Sequence, residues 1–224
     1  RIGGPKKIGA RVYNSKDERL MSNFKIQKKS FEKKFSQSKK IISAKGYENL
    51  NKIFAGEEYH PDPNSEINFN LNNQNSKNKN ELLKIFNWDE SRKICIIFSH
   101  NLFDGNYNNQ WRIFKDNLTW LRETLNYIKK LNQNVYWVVK DHPSDYGANK
   151  NKNTTFKEFK KIIGNNKNIQ FYPKEFSTNL IKDIADCILT SQGSAGLEYP
   201  CFGIPSIICG DSYYQGLGFT KEPK

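Results

Sequence analysis

The chain has 224 residues, 36% of them in the apolar set AVILMFWYC, which is enough for a core in one large domain or two small ones. No run of about 18 apolar residues occurs, so no transmembrane helix is expected, and aromatics at 13% argue against wholesale disorder. Lysine and arginine number 36 against 23 acidic residues, a net charge of +13. That excess suits nucleic acid, an anionic membrane surface or phosphorylated substrates, or only a lysine-rich solubility surface. It is spread along the chain rather than gathered into an arginine run, which argues against sequence-specific nucleic-acid binding.

Residues 1–90 are polar, lysine-rich and weakly patterned. Residues 24–40 read as helical or extended, residues 49–54 carry a short apolar pattern, and residues 56–63 are rich in turn formers. Asparagines crowd residues 70–80, where too little apolar surface exists to offset ordering entropy, so this stretch reads as a linker or exposed loop. The domain division expected is therefore a partial N-terminal region over 1–90 and a second domain over 91–224. No signal-peptide pattern opens the sequence. It begins with Arg1 and stops at Lys224 just after a Gly-rich loop, and is expected to be a piece of a longer protein.

From residue 93 the pattern changes to short apolar runs alternating with amphipathic segments. Residues 94–98 (ICIIF) form a continuous apolar run with a β-branched bias, a buried strand. Asp116 caps a helix that reaches about Leu131, with Leu118, Leu121, Leu125 and Ile128 on one stripe and Lys129 and Lys130 at its end. Residues 135–139 are a second strand. Residues 154–163 are a helix stopped by Gly164. A short strand at 169–171, a short helix at 180–185 and a fourth strand at 187–190 follow. Residues 194–202 read as a helix shortened or kinked by Pro200, and residues 205–209 as a fifth strand. This alternation implies an α/β fold, a parallel sheet with helices on both faces. In such sheets ligands bind beyond the carboxyl ends of the strands.

The second strand runs into Lys140-Asp141-His142-Pro143. His142 there can donate a hydrogen bond to a phosphate or act as an acid near neutral pH; the plainer alternative is a histidine that ties down a loop. The fourth strand runs into Ser191-Gln192-Gly193-Ser194-Ala195-Gly196. Backbone N–H groups at a helix start, with the hydroxyls of Ser191 and Ser194, suit an anion; an ordinary cap and tight turn is the plainer alternative. Glu198 lies one helical turn beyond Ser194, able to accept from ribose hydroxyls or simply to face solvent. Ser99, His100 and Asn101 follow the first strand, with Asp104 close behind as a base or a turn former. The fifth strand leads to Gly210-Asp211-Ser212-Tyr213-Tyr214, where a ligand can meet backbone and aromatic rings.

Several chemistries are disfavoured. The small-residue turn is neither GxGxxG nor a Walker loop, and no GxSxG elbow occurs. His60, His100 and His142 show no metal-ligand spacing, so no metal site is expected. Cys95, Cys187, Cys201 and Cys209 form no CxxC pair and read as small core residues in a reducing compartment.

Two stretches resemble the donor-binding half of a GT-B glycosyltransferase, and in particular the bacterial capsule polysaccharide biosynthesis proteins, a family that includes Kdo transferases. One is Val138-Val139-Lys140-Asp141-His142-Pro143, similar to the family's strand and Lys-x-His-Pro turn. The other, TSQGSAGLEYPCFGIPSIICG over residues 190–210, is similar to its strand, small-residue turn, Glu-bearing helix and Gly-x-Pro strand. The likeness covers residues 90–224 and extends to the aromatic, Gly-rich tail.

The resemblance implies a Rossmann-like domain, the C-terminal half of a GT-B fold, and a cytoplasmic glycosyltransferase of surface polysaccharide assembly. It implies that His142 contacts and protonates the donor phosphate as it leaves. Lys140, Ser191, Gln192, Gly193 and Ser194 would hold that phosphate, and Glu198 the ribose. It implies no cofactor and no bound metal, with a nucleotide-sugar donor as substrate and a carbohydrate or lipid-linked acceptor. The lysines suit peripheral contact with an anionic membrane. The same fold serves nucleotide-sugar epimerases and polyol-phosphate transferases. A non-catalytic basic module binding nucleic acid or anionic lipid is the rival from another class.

Overall fold

The computed structural model describes residues 28–55, 77–102, 113–131, 134–142, 154–210 and 212–222. The turn-rich stretch 56–63, most of the asparagine-rich stretch, Asp104, Pro143 and Asp211 lie outside the described residues.

Among the described residues there are six strands: β1 (Lys93–Phe98), β2 (Val135–Lys140), β3 (Ile169–Phe171), β4 (Cys187–Thr190), β5 (Ser206–Ile208) and β6 (Thr220–Lys221). They form one sheet in the order β3-β2-β1-β4-β5-β6, and every neighbouring pair is parallel. The helices are α1 (Lys28–Ala55), α2 (Lys79–Phe86), α3 (Asn117–Lys130), α4 (Thr154–Ile163), α5 (Ile181–Ile184) and α6 (Ala195–Glu198), with single 3-10 turns at Thr178–Leu180 and Tyr199–Phe202. This is a Rossmann-like α/β architecture.

Alternation along the strands builds two cores. Ile94 and Ile96 of β1, Tyr136 and Val138 of β2 and Ile188 of β4 face Leu82, Leu83 and Phe86 of α2 and Ile181 and Ile184 of α5. Ile97, Val139 and Ile169 face Trp120, Leu121, Leu125 and Ile128 of α3 with Phe159 and Ile163 of α4. Trp88 stacks on Tyr136 with ring centroids 4.1 Å apart, and its indole N–H donates to the Lys167 carbonyl at 2.6 Å.

The capping chemistry read from the sequence is present in α3, where Asp116 accepts from the Thr119 amide at 2.7 Å. Helix α4 ends at Gly164, which takes φ 62°. The segment 194–202 is α-helical only to Glu198 and then tightens into a 3-10 turn containing Pro200.

Three features were not legible. Residues 28–55 form two helical segments that meet at Ser38, whose backbone is non-helical; the far end reaches the domain through Phe54, whose carbonyl accepts from the Asn179 side-chain amide at 2.8 Å and whose ring is edge-on to Tyr199 and Phe202. The asparagine-rich stretch ends in a cap. Asn78 accepts from the Glu81 amide at 3.1 Å while the Glu81 carboxylate accepts from the Asn78 amide at 2.9 Å, starting α2. The Gly-rich tail adds β6 at the sheet edge, beside β5.

Candidate functional site

The order of strands reverses at β1, which has β2 on one side and β4 on the other. Such a reversal opens a crevice at the carboxyl ends of the strands. Phe98 of β1 is in register with Lys140 of β2 and with Thr190 of β4. The three tips are therefore level. With strands about 4.8 Å apart, the outer two stand about 10 Å from each other. Two residues past these level positions come His142 on β2, His100 on β1 and Gln192 on β4.

At the β2 tip, Lys140 and Asp141 are both buried, 8% and 5% exposed. The Lys140 ammonium donates to the Asp141 carboxylate at 3.1 Å and to the Asp141 carbonyl at 3.2 Å, and lies 5.9 Å from the centre of the Tyr172 ring. Lys140 thus sits on the α2/α5 side of the sheet and its charge is engaged by its neighbour. The second Asp141 oxygen is buried with no hydrogen-bond partner among the described residues. His142 is half-buried, and its ring lies 6.1 Å from that of His100 at an interplanar angle of 28°.

The β1 tip is fastened to both neighbours. The Ser99 amide donates to the Lys140 carbonyl at 2.8 Å. Asn117, the first residue of α3, is fully buried. Its amide nitrogen lies 3.0 Å from His100 Nδ1 and donates to the Asn101 carbonyl at 3.0 Å. Its amide oxygen accepts from the Ser191 hydroxyl at 3.3 Å. Sequence reasoning missed Asn117. The available signal was its position: it stands on the stripe of Leu121, Leu125 and Ile128, where a polar residue is out of pattern. The Ser99 hydroxyl is buried without a partner among the described residues.

At the β4 tip, Ser191 is buried and its hydroxyl is given to Asn117. The Gly193 amide donates to the Thr190 hydroxyl at 3.3 Å. The Gly193 carbonyl accepts from the Tyr214 hydroxyl at 2.6 Å. Ser194 is exposed, already helical at φ −59°, and its side chain makes no cap bond. Its hydroxyl is not used as an N-cap. The first turn of α6 bonds through the amides of Gly196, Leu197 and Glu198 to the carbonyls of Gly193 and Ser194, so the amides of Ser194 and Ala195 precede that ladder.

Glu198 is half-buried. Burial pushes the Tyr213 and Tyr214 hydroxyls above their ordinary pKa, and the Glu198 charge adds to both shifts. The carboxylate and the tyrosine loop thus share one electrostatic neighbourhood. Gly210 passes so close to Ser191 that a Cβ there would stand 2.9 Å from the Ser191 carbonyl oxygen. The loops after β4 and β5 therefore lie together.

No family model matches the sequence, and no curated protein matches it. Among solved structures the chain is similar to KpsC, the beta Kdo 2,7 transferase of Thermosulfurimonas dismutans, with 16% identity and a TM-score of 0.44, over 77% of this chain and 53% of that one. It is also similar to UDP-GlcNAc 2-epimerase from Neisseria meningitidis bound to UDP-GlcNAc, with 16% identity and a TM-score of 0.37, over 58% of this chain and 30% of that one. The chain spans about half the length of the first and under a third of the second.

Proposed function

We propose that this domain binds the nucleotide-activated sugar of a glycosyltransferase that builds bacterial surface polysaccharide. The observation that carries the reading is the reversal of strand order at β1, flanked by a His-bearing tip and a small-residue turn that opens a helix. The motif resemblance over residues 138–143 and 190–210 supports the same assignment.

The bond between the anomeric carbon and the donor phosphate oxygen breaks, and the acceptor oxygen forms the new bond to that carbon. Negative charge grows on the leaving phosphate. His142 donates a proton or hydrogen bond to it, and the amides of Gln192, Ser194 and Ala195 with the Ser194 hydroxyl supply further donors, the Gly193 amide being held by the Thr190 hydroxyl. Ser191 and Lys140 act one step back, Ser191 through Asn117 and Lys140 through Asp141. Glu198, beside Tyr213 and Tyr214, accepts from the ribose hydroxyls. The base that takes the acceptor proton comes from the other half of the fold. The site is cytoplasmic, with its lysines suited to an anionic membrane face. No helix among the described residues is long and apolar enough to cross a membrane.

The test is a thermal-shift comparison against CMP, CDP, UDP, GDP and ADP, repeated with His142→Ala and Ser194→Ala. A ligand at about one hundred times its Kd stabilises by about 2.7 kcal/mol, roughly 5–10 °C for a chain of this size. One nucleotide should give that shift and both variants should lose it. Stabilisation only by a random oligonucleotide or anionic vesicles at low salt would replace the transferase by a basic binding module.

A further inference from the structure

We propose that Cys95 and Cys187 form a reversible dithiol site on the sheet, at which a low-molecular-weight disulfide such as oxidised glutathione exchanges the two thiols for a bridge between β1 and β4. The site stands on the fold and does not depend on the donor reading above.

Register is the first argument. Cys95 of β1 is paired with Cys187 of β4. Side chains alternate along a strand, so Cys95 shares a face with Ile97 and Cys187 with Leu189, both on the α3/α4 side. The two thiols are therefore neighbours on one face. Adjacent strands run about 4.8 Å apart, inside the Cα separation of about 4.4–6.8 Å that a disulfide spans. The Cβ atoms of a bridge come to about 3.5–4.5 Å, so closure draws the strands together and gives a bridge that thiols reopen. No sequence spacing shows this pair, because only the pairing of β1 with β4 makes it. The bridge would staple the two strands at the reversal of strand order, on the far side of Phe98 and Thr190 from the crevice.

Access and reactivity are the second argument. Both thiols are half-buried, so neither is the sealed, inert kind. A hydrogen bond from the Cys95 thiol holds the Cys187 thiol below its ordinary pKa. The same contact, with burial, pushes Cys95 up. The Asp186 carboxylate nearby opposes a thiolate, but it accepts from the Lys93 ammonium at 2.8 Å and from the Ile94 amide at 2.9 Å. Cys187 is thus the attacking sulfur and Cys95 the resolving one. The Cys187 thiolate attacks one sulfur of oxidised glutathione; a mixed disulfide forms and one glutathione thiolate leaves. Capped, the Cys187 sulfur carries no charge, which removes one cause of the raised Cys95 pKa. The Cys95 thiolate then attacks the Cys187 sulfur and displaces the second glutathione. Two protein thiols are oxidised to one disulfide, the glutathione disulfide is reduced to two thiols, and these take up the two protons.

The test incubates the folded chain in graded ratios of oxidised to reduced glutathione, blocks the remaining thiols and maps the cysteines by peptide mass spectrometry. The chain should lose two hydrogens and yield peptides joined through Cys95 and Cys187, which dithiothreitol separates. Cys95→Ser should stop at a glutathione adduct on Cys187, and Cys187→Ser should slow the reaction of Cys95 about tenfold or more. Cys95→Ala and Cys187→Ala run beside them, with melting curves, in case a serine hydroxyl unfolds the sheet. Cys95 and Cys187 that stay free thiols, or that each carry their own glutathione, overturn the site. A bridge that forms only in urea, or equally often to Cys201 or Cys209, overturns it as well, since register and not chance collision makes the pair. Nucleotide binding is no part of the readout, so failure here leaves the donor reading to its own test.

Discussion

The Tyr214 hydroxyl donates to the carbonyl of Gly193 at 2.6 Å, closing a contact across 21 positions of sequence. It ties the loop after β5 to the turn after β4. The Tyr214 ring is fully buried, and the space beneath it is filled: a Cβ on Gly196 would stand 2.8 Å from Ile208 Cγ2 and closer still to the Tyr214 oxygen. The path of the small-residue turn is therefore set from outside by a tyrosine and from within by a glycine that no other residue can replace without movement.

Two substitutions separate these effects. Tyr214→Phe keeps the ring and leaves the Gly193 carbonyl without this donor, which should cost about 1 kcal/mol and lower Tm by about 2–4 °C. Gly196→Ala forces the tyrosine or Ile208 to shift and should cost about 1–3 kcal/mol. If the turn holds a phosphate, both should lower nucleotide stabilisation beyond their effect on Tm. Equal Tm values for Gly196→Ala and the unaltered chain would show that the turn is slack.

The stretch before β1 belongs to the same folding unit. Leu82 is fully buried, and Leu83, Phe86 and Trp88 share its cluster with Ile94, Ile96 and Tyr136. Leu82→Ala should cost about 2–5 kcal/mol. A chain that starts at residue 91 should lose the helix that covers one sheet face and fail to melt cooperatively, whereas one that starts at residue 77 keeps it. Circular dichroism melts of the two shortened chains decide between a domain edge near 77 and one near 91.

The parts of the fold that were legible are those where local chemistry and burial agree. Strand β1 carries a continuous apolar run rich in isoleucine, and α4 is closed by Gly164; both stand where their patterns put them. Helix α2 was hidden because Asn78 reads equally as a linker residue and as a cap, and only the pairing with Glu81 separates the two. Strand β6 has two residues, too short for any periodicity. At the site, the level of the strand tips depends on register, which no single segment encodes. The Asn117–Ser191 bond joins residues 74 positions apart and follows from the packing of α3 beside the sheet. A polar residue on an apolar stripe was the only local trace of it.

Lys140 and Asp141 should respond asymmetrically to substitution. Their side chains are only 10% and 4% exposed, and the ion pair spans 3.1 Å. Removing one member leaves a buried charge unmatched, for which about 3–5 kcal/mol is typical. Replacing both with apolar residues of similar size removes the mismatch and should recover much of that loss. Lys140→Met alone should therefore be less stable than Lys140→Met with Asp141→Leu, by urea denaturation. The reverse order would mean that Asp141 is held by partners other than Lys140.

The exposed bridge between α3 and α4 should behave differently, and its pH dependence has a fixed sign. Arg122 donates to both oxygens of Glu158, at 2.7 and 2.8 Å. That hydrogen bonding, assisted by the guanidinium charge, holds the Glu158 carboxyl below its ordinary pKa. A carboxyl whose folded pKa lies below its unfolded value stabilises the fold above the unfolded value, near 4.5. The contribution fades as pH falls through the lower folded value. The Arg122 side chain is 44% exposed, so solvent screening keeps the gain to about 0.2–1 kcal/mol. Glu158→Gln should lose that amount at pH 7, lose less in 1 M salt, and match the unaltered chain near pH 2–3. Urea midpoints at the three conditions read the difference directly. A deficit that persists undiminished in acid would assign it to the packing of the side chain against α3 rather than to its charge.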